Sequence, residues 1–245
     1  MSLKIFKSLG LKGSYLDLCR SIRKIPFPIT VPIFGSVTTM AEILNIHDNY
    51  AVGELRNPHV EAELGRIANP VVVDCGINVG ITVRWWLHLN PSCRVFGLDM
   101  FQEAHDFTRA RLGETAPNYT GITAALSEVD GEKLTLCFND PLDGTNRIDR
   151  LASGMQQRQV DTGRIDTLLA PHGLRHIDLL KMDIEGYAGK ALRGATRTLS
   201  ITQNVILEKH SDEELAESEE ILVSQGFRLT YFQARNLWFI KVNPH

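Results

Sequence analysis

From residue 70 onward the chain alternates short apolar runs with longer stretches of helical periodicity, which restricts it to a largely parallel sheet wound with helices. Apolar runs with no polar interruption need cover on both faces, and helices packed on either side of a sheet provide it. Pro70 to Asp74 predicts a buried strand; a turn with two glycines follows, then a helix over Ile81 to Leu89 closed by Asn90 and Pro91. Arg94 to Asp99 is a second strand, Ala104 to Leu112 a helix and Thr120 to Leu126 a third strand. Gly131 and Glu132 turn the chain into Lys133 to Phe138, which alternates like an edge strand. A helix over Arg164 to Leu169 precedes a strand over Ile177 to Asp183, a helix over Tyr187 to Leu199 and a strand over Asn204 to Glu208. Asp212 is placed to cap an acidic helix reaching Ser224. The last two runs, Arg228 to Phe232 and Leu237 to Val242, flank Gln233 to Asn236 and predict an antiparallel hairpin. The class expected is α/β.

Two segments stand outside the alternation. Residues 139–162 are polar and hold Asp140, Pro141, Asp143 and two glycines, so they read as a long surface loop. In residues 1–60, Pro26, Pro28 and Pro32 break up a strand at Ile29 to Phe34, and a short helix is expected over Thr39 to Leu44. Residues 1–60 are therefore read as a cap or lid on a main domain of residues 61–245. With 43% hydrophobic residues among 245, one sizeable core closes without disulfides. Cys19, Cys75, Cys93 and Cys137 share no C-x-x-C spacing and read as small buried groups in a reducing compartment. A net charge of −3 lacks the basic balance of a chain that gains affinity from phosphates, so no nucleic-acid partner is expected. No apolar run nears the ~20 residues of a membrane span, and a cytoplasmic protein is expected. Residues 1–26 carry Lys4, Lys7, Lys12, Arg20, Arg23 and Lys24 against Asp17; they are read as a solvated helix, with contact to a membrane surface as the alternative.

Ligands of open α/β sheets sit beyond the carboxyl ends of the strands. The first such place is the turn Asp74-Cys75-Gly76-Ile77-Asn78-Val79-Gly80. Gly76 permits a tight turn and a close backbone approach, and Gly80 permits close packing where the helix begins. Asp99 ends the next strand, where a carboxylate accepts both hydroxyl hydrogens of a ribose. A dinucleotide fingerprint would be G-x-G-x-x-G, but here Asn78 replaces the second glycine and Ile81 the third. The lost clearance for a pyrophosphate favours a phosphate-free nucleoside, with Asp74 available to face the ammonium of a methionine moiety.

On these residues the chain resembles a known family. Pro70 to Trp86, the acidic strand end Val95 to Asp99, Ala124 to Ser127 followed by Gly131, and above all LLKMDIEGYAGKALRGA over Leu179 to Ala195 are similar to the FkbM family of class I methyltransferases. The resemblance extends over residues 50–245. It implies a Rossmann-like, seven-stranded, mostly parallel sheet ending in the antiparallel hairpin, S-adenosylmethionine as cofactor, and an oxygen acceptor on a sugar or natural product. It further implies that Asp74, Gly76, Asn78 and Gly80 line the methionine end, Asp99 with Met100 the ribose, and Ser127 or its neighbours the adenine edge. This chain departs from the family in having Asp99-Met100-Phe101 where Glu-Pro is common.

Methyl transfer displaces an already activated group, so the protein has to position the nucleophile and exclude water. A hydroxyl acceptor needs a general base, or a metal that lowers its pKa. Two later strands end at Lys181-Met182-Asp183-Ile184-Glu185 and Leu207-Glu208-Lys209-His210, on the cofactor's edge of the sheet. Asp183, Glu208 and His210 are the candidate catalytic residues. His210 suits proton abstraction near neutral pH. Asp183 and Glu208 could act as bases or hold a divalent ion through oxygen, and no metal ligands are assigned. Glu185 reads as a cap of the following helix, Lys181 as an ion-pair partner, and Tyr50 either covers the cofactor or seals the core. Asp143, Asn146 and Arg147 of the long loop could grip a polyhydroxylated acceptor. A small-molecule or glycan hydroxyl is thus the expected acceptor; a nicotinamide-dependent oxidoreductase and a non-catalytic nucleoside-binding module are the alternatives. The sequence leaves a homo-oligomer open.

Overall fold

A computed structural model describes residues 27–143, 146 and 155–242 of the chain. The basic segment 1–26 and Arg147 of the long loop lie outside the described residues. In chain order the strands are β1 (Ile29–Val31), β2 (Gly35–Val37), β3 (Val71–Cys75), β4 (Arg94–Asp99), β5 (Tyr119–Thr123), β6 (Ala125–Leu126), β7 (Lys133–Phe138), β8 (Gln156–Gly163), β9 (Ile177–Met182), β10 (Thr202–Glu208), β11 (Phe227–Gln233) and β12 (Asn236–Lys241). Seven of them form one sheet in the order β11-β12-β10-β9-β3-β4-β5. Its five strands from β10 to β5 run parallel, while β12 is antiparallel to both β10 and β11. The α/β class and the terminal hairpin are as the sequence predicts.

Period-two alternation sorts the strand residues between two cores. Val72, Val95, Leu179 and Ile206 face a layer holding the helix Ile81–Leu89 and residues 31–64, whereas Val73, Phe96, Leu180 and Val205 face the layer of Ile165–Leu169 and Asp212–Ser224. Because β4 lies on one side of β3 and β9 on the other, the winding reverses at β3, which creates a crevice at the strands' carboxyl ends.

Several elements depart from expectation for identifiable reasons. The end of the supposed long loop, from Gln156 onward, is strand: β8 pairs antiparallel with β7, from Lys133 opposite Asp161 to Phe138 opposite Gln156. Its polar residues conceal a strand that adds to a small side sheet with much of its surface in water. The expected strand Thr120 to Leu126 divides into β5, in the main sheet, and β6, which pairs with β8. Ile29 to Phe34 forms not one strand but half of the hairpin β1–β2, turned where Ile33 takes a φ of 75°. The expected helix over Tyr187 to Leu199 breaks at Gly194 into Ala188–Arg193 and Thr196–Ser200. Ser211, rather than Asp212, caps the acidic helix by accepting from the Glu214 amide at 3.1 Å.

Residues 31–64 share the main core. Thr39 and Glu42 form a capping box at the start of Met40–Asn45, and the chain continues into a π-helix, Ile46–Val52. Glu42 is fully buried and pairs with Arg84 of the helix Ile81–Leu89 and with Arg111. Arg84 also donates to the Phe34 carbonyl at 2.8 Å. Tyr50 seals the core: it is buried, with its ring centroid 4.6 Å from that of Trp85. Among the described residues, no helix is long and apolar enough to cross a membrane. Cys75, Cys93 and Cys137 are buried free thiols.

Candidate active site

The turn after β3 is shaped by its neighbours in the fold. Gly76 has a φ of 80°, and a Cβ there would lie 1.8 Å from the Asp183 carbonyl oxygen at the end of β9. Gly80 has a φ of 68°, and a Cβ there would lie 2.2 Å from Thr108 Oγ1. Both positions therefore exclude a side chain before any ligand is considered. Between them Asn78, also in the left-handed region at 48°, donates its amide to Asp99 Oδ2 at 3.1 Å. The Phe101 amide donates to the other Asp99 oxygen at 3.0 Å. Two backbone donors thus fix the Asp99 carboxylate at the mouth of the crevice, and burial pushes its pKa up to about 6 against the pull of those donors.

A cavity of about 350 Å³ occupies this switch point. Gly76, Asn78, Asp99 and Met100 line one side with Ala124, Ala125 and Leu126; Asp183 and Glu208 line another with Glu185 and Tyr187. Asn45, Asp48, Asn49 and Glu54 form a polar wall, and Asp143 and Asn146 of the loop also reach the cavity. Asn78 Oδ1 and Thr82 Oγ1, both on the lining, are buried without a hydrogen-bond partner, which leaves them suited to a polar ligand.

Four of the ten candidate catalytic and cofactor residues are not on the lining. Asp74 is fully buried beneath the turn, accepting from Trp86 Nε1 at 3.1 Å and ion-paired with Lys181 at 3.3 Å. Lys181 is its direct partner across the β3–β9 pair. Gly80 lies under the helix start. Ser127 is buried and donates its amide to the Gly163 carbonyl, so the preceding Ala124 to Leu126 supply the wall. His210 sits behind the lining, its side chain 5% exposed, with ring nitrogens 3.6 Å from carboxylate oxygens of Asp183 and Glu185.

The acceptor edge is a dense charge cluster. Lys181, inside a strand buried along its whole length, donates to Asp183 Oδ2 at 3.2 Å and to the Gly76 carbonyl at 3.1 Å. Burial favours the neutral lysine, yet Asp183 and Asp74 outweigh it and raise the Lys181 pKa. Burial likewise pushes Asp183 up, but the Lys181 ammonium, with the His210 ring 3.6 Å away, holds it well below the usual carboxylate range. Glu208 goes the other way: burial and the adjacent Asp183 charge push it up to about 8, although Arg235 pairs with it at 2.6 Å. Burial pulls the His210 pKa down, and Asp183, Glu185 and Glu208 raise it overall. The cluster therefore favours an ionised Asp183 and shifts Glu208 toward its protonated form. The two titrate as a coupled pair.

Glu185 does not cap the next helix; Glu214 Oε1 accepts from the Ala188 amide at 2.9 Å instead. Glu185 takes a left-handed φ of 45°, a conformation that sites tend to retain in spite of its strain. Among the described residues, Asp183, Glu185 and His210 bring three ligand-type atoms within 4.8 Å, a set that omits Glu208. Lys181 already supplies positive charge beside Asp183, and no metal is assigned. Sequence reasoning missed the wall from Asn45 to Glu54 and the bridging geometry of Lys181. A lysine in a strand of otherwise mostly apolar residues was the available signal, since a buried charge requires partners.

The methyltransferase FkbM domain is matched over residues 74–229. The 2-O-methyltransferase NoeI of Sinorhizobium fredii is 26% identical over 167 residues, covering 62% of this chain and 67% of that protein. Ribosomal RNA small subunit methyltransferase H of Corynebacterium glutamicum is 28% identical over 181 residues, covering 67% of this chain but only 52% of that protein. Among solved structures, the METTL16 MTase domain superposes with a TM-score of 0.53 at 10% identity, covering 98% of this chain and 95% of that one, a likeness of fold.

Proposed function

Because the chain belongs to the FkbM family of S-adenosylmethionine-dependent methyltransferases, we propose that it methylates a hydroxyl of a sugar, glycolipid or other polyhydroxylated metabolite. The observation that carries this reading is one cavity with two chemically distinct sides: Asp99 fixed by two amides, and the carboxylates Asp183 and Glu208. The name of the relative NoeI, a 2-O-methyltransferase, supports an oxygen acceptor.

In this reading Asp99 accepts the ribose hydroxyls, Asn78 and Thr82 receive the polar amino-acid end, and Ala124 to Leu126 flank the adenine. When bound, the cofactor supplies an activated methyl group. Asp183 orients the acceptor hydroxyl through a hydrogen bond, and Glu208, once ionised, takes its proton. Lys181 and Arg235 hold these carboxylates in place. Cap residues through Glu54 close the acceptor side with carboxamides and carboxylates, groups that bond well to hydroxyls. Lys181 and Arg235 are the only lysine or arginine side chains lining the cavity among the described residues, against seven carboxylates, which suits an uncharged polyol better than a phosphate backbone.

Incubation with methyl-labelled S-adenosylmethionine and a panel of sugars, glycolipids and RNA tests the reading. Label in an alkali-stable methyl ether of a sugar is expected. Label in RNA alone would overturn the acceptor assignment, and stabilisation by NAD but not by S-adenosylhomocysteine would overturn the donor assignment.

A further inference from the structure

Lys181 makes more contacts than neutralisation requires. It lies in β9, which is buried along its length, and its side chain is 2% exposed. A lysine placed there only to balance Asp74 would need one partner. Its ammonium instead reaches three: it donates to the Gly76 carbonyl at 3.1 Å and to Asp183 Oδ2 at 3.2 Å, and it ion-pairs with Asp74 Oδ1 at 3.3 Å. Gly76 belongs to the donor turn and Asp183 to the acceptor edge, and the two are in backbone contact, since a Cβ on Gly76 would strike the Asp183 carbonyl.

We propose that Lys181 is a positioning residue that ties the donor turn to the acceptor carboxylates, so that one ammonium sets both the cofactor's seat and which carboxylate holds the proton. The inference rests on the reading of Asp183 and Glu208 as the acceptor side. Lys181 is near Asp74, Asp183, Glu208 and Asp99, while His210, Glu185 and Arg235 complete the charged groups packed on the pair. Lys181 donates directly to Asp183 Oδ2 at 3.2 Å, so its charge favours the ionised form there more than on Glu208, which pairs with Arg235.

The test combines carboxyl-carbon NMR titration with calorimetric binding of S-adenosylhomocysteine. It compares the wild type, Lys181→Met, Asp74→Asn and the double variant Lys181→Met with Asp74→Asn. The single methionine variant leaves Asp74 buried and uncompensated and is prone to unfold; the double variant removes both charges and keeps the core filled. In the double variant, the Asp183 titration is expected to rise by at least one pH unit and the affinity for S-adenosylhomocysteine to fall at least about tenfold. In Asp74→Asn alone, which keeps the ammonium, the Asp183 titration should stay low. An unchanged Asp183 titration in the double variant, or undiminished affinity, would overturn the proposal. Failure of the wild type to bind S-adenosylhomocysteine would instead overturn the donor reading on which it rests.

Discussion

Glu208 carries opposite consequences for catalysis and stability. In the folded protein its pKa is about 8, well above the ordinary 4.5. Between those values the native state binds more protons at this site than the unfolded state, so its contribution to stability falls as pH rises through that window. Glu208→Gln should therefore melt higher than wild type at pH 8 and less so near pH 5, at about 2–4 °C for each kcal/mol recovered. The same substitution removes the proposed base and should lower kcat by about a hundred- to ten-thousand-fold. In the wild type, kcat/KM should rise with pH along a limb near pH 8, and a flat profile through that region would remove Glu208 from the role of base. Residues such as Asp99 and Asn78 were legible in the sequence because their place after a strand decides where they sit. Asp74 was not: whether it meets a ligand or Lys181 depends on the register of β3 against β9, pairs more than a hundred positions apart.

The elements are joined by a few contacts that tolerate little change. Gly76 is the tightest, with the Asp183 carbonyl where a side chain would begin. Gly76→Ala must separate the ends of β3 and β9 or distort the turn. Loss of measurable S-adenosylhomocysteine binding is expected, along with a cost of several kcal/mol, typical of strain and overpacking combined. An alanine variant with unaltered calorimetric affinity would contradict this geometry. The wall depends on Glu42, whose replacement by alanine leaves Arg84 buried without its carboxylate. That should cost about 3–5 kcal/mol in chemical denaturation and raise the acceptor KM, with little effect on cofactor affinity. The strands of the main sheet were legible because burial on both faces leaves continuous apolar runs. β8 was hidden for the converse reason: Gln156, Gln157, Arg158 and Gln159 pair through their backbones with β7 while largely retaining contact with water, so no hydrophobic period marks them.

In the whole molecule the site joins strands on both sides of the reversal at β3. Asp99 comes from β4, whereas Asp183 follows β9 and Glu208 ends β10, with the Gly76 turn between them. A ligand filling the cavity bridges both halves of the sheet, so its binding energy opposes their separation as well as local fraying. At a hundred times its dissociation constant, S-adenosylhomocysteine should add about 2.7 kcal/mol to stability. For a domain of this size that corresponds to a rise in Tm of about 5–11 °C. The distribution of the effect is the sharper test. Amide exchange should slow at the carboxyl ends of β3, β4 and β9 together, because the Asn78 and Phe101 amides already bond to Asp99 and Lys181 links the turn to Asp183. Strands β7 and β8, whose residues do not line the cavity, should exchange as before. Protection confined to β4 would mean that the ligand engages Asp99 alone and that the two halves of the site do not act as one.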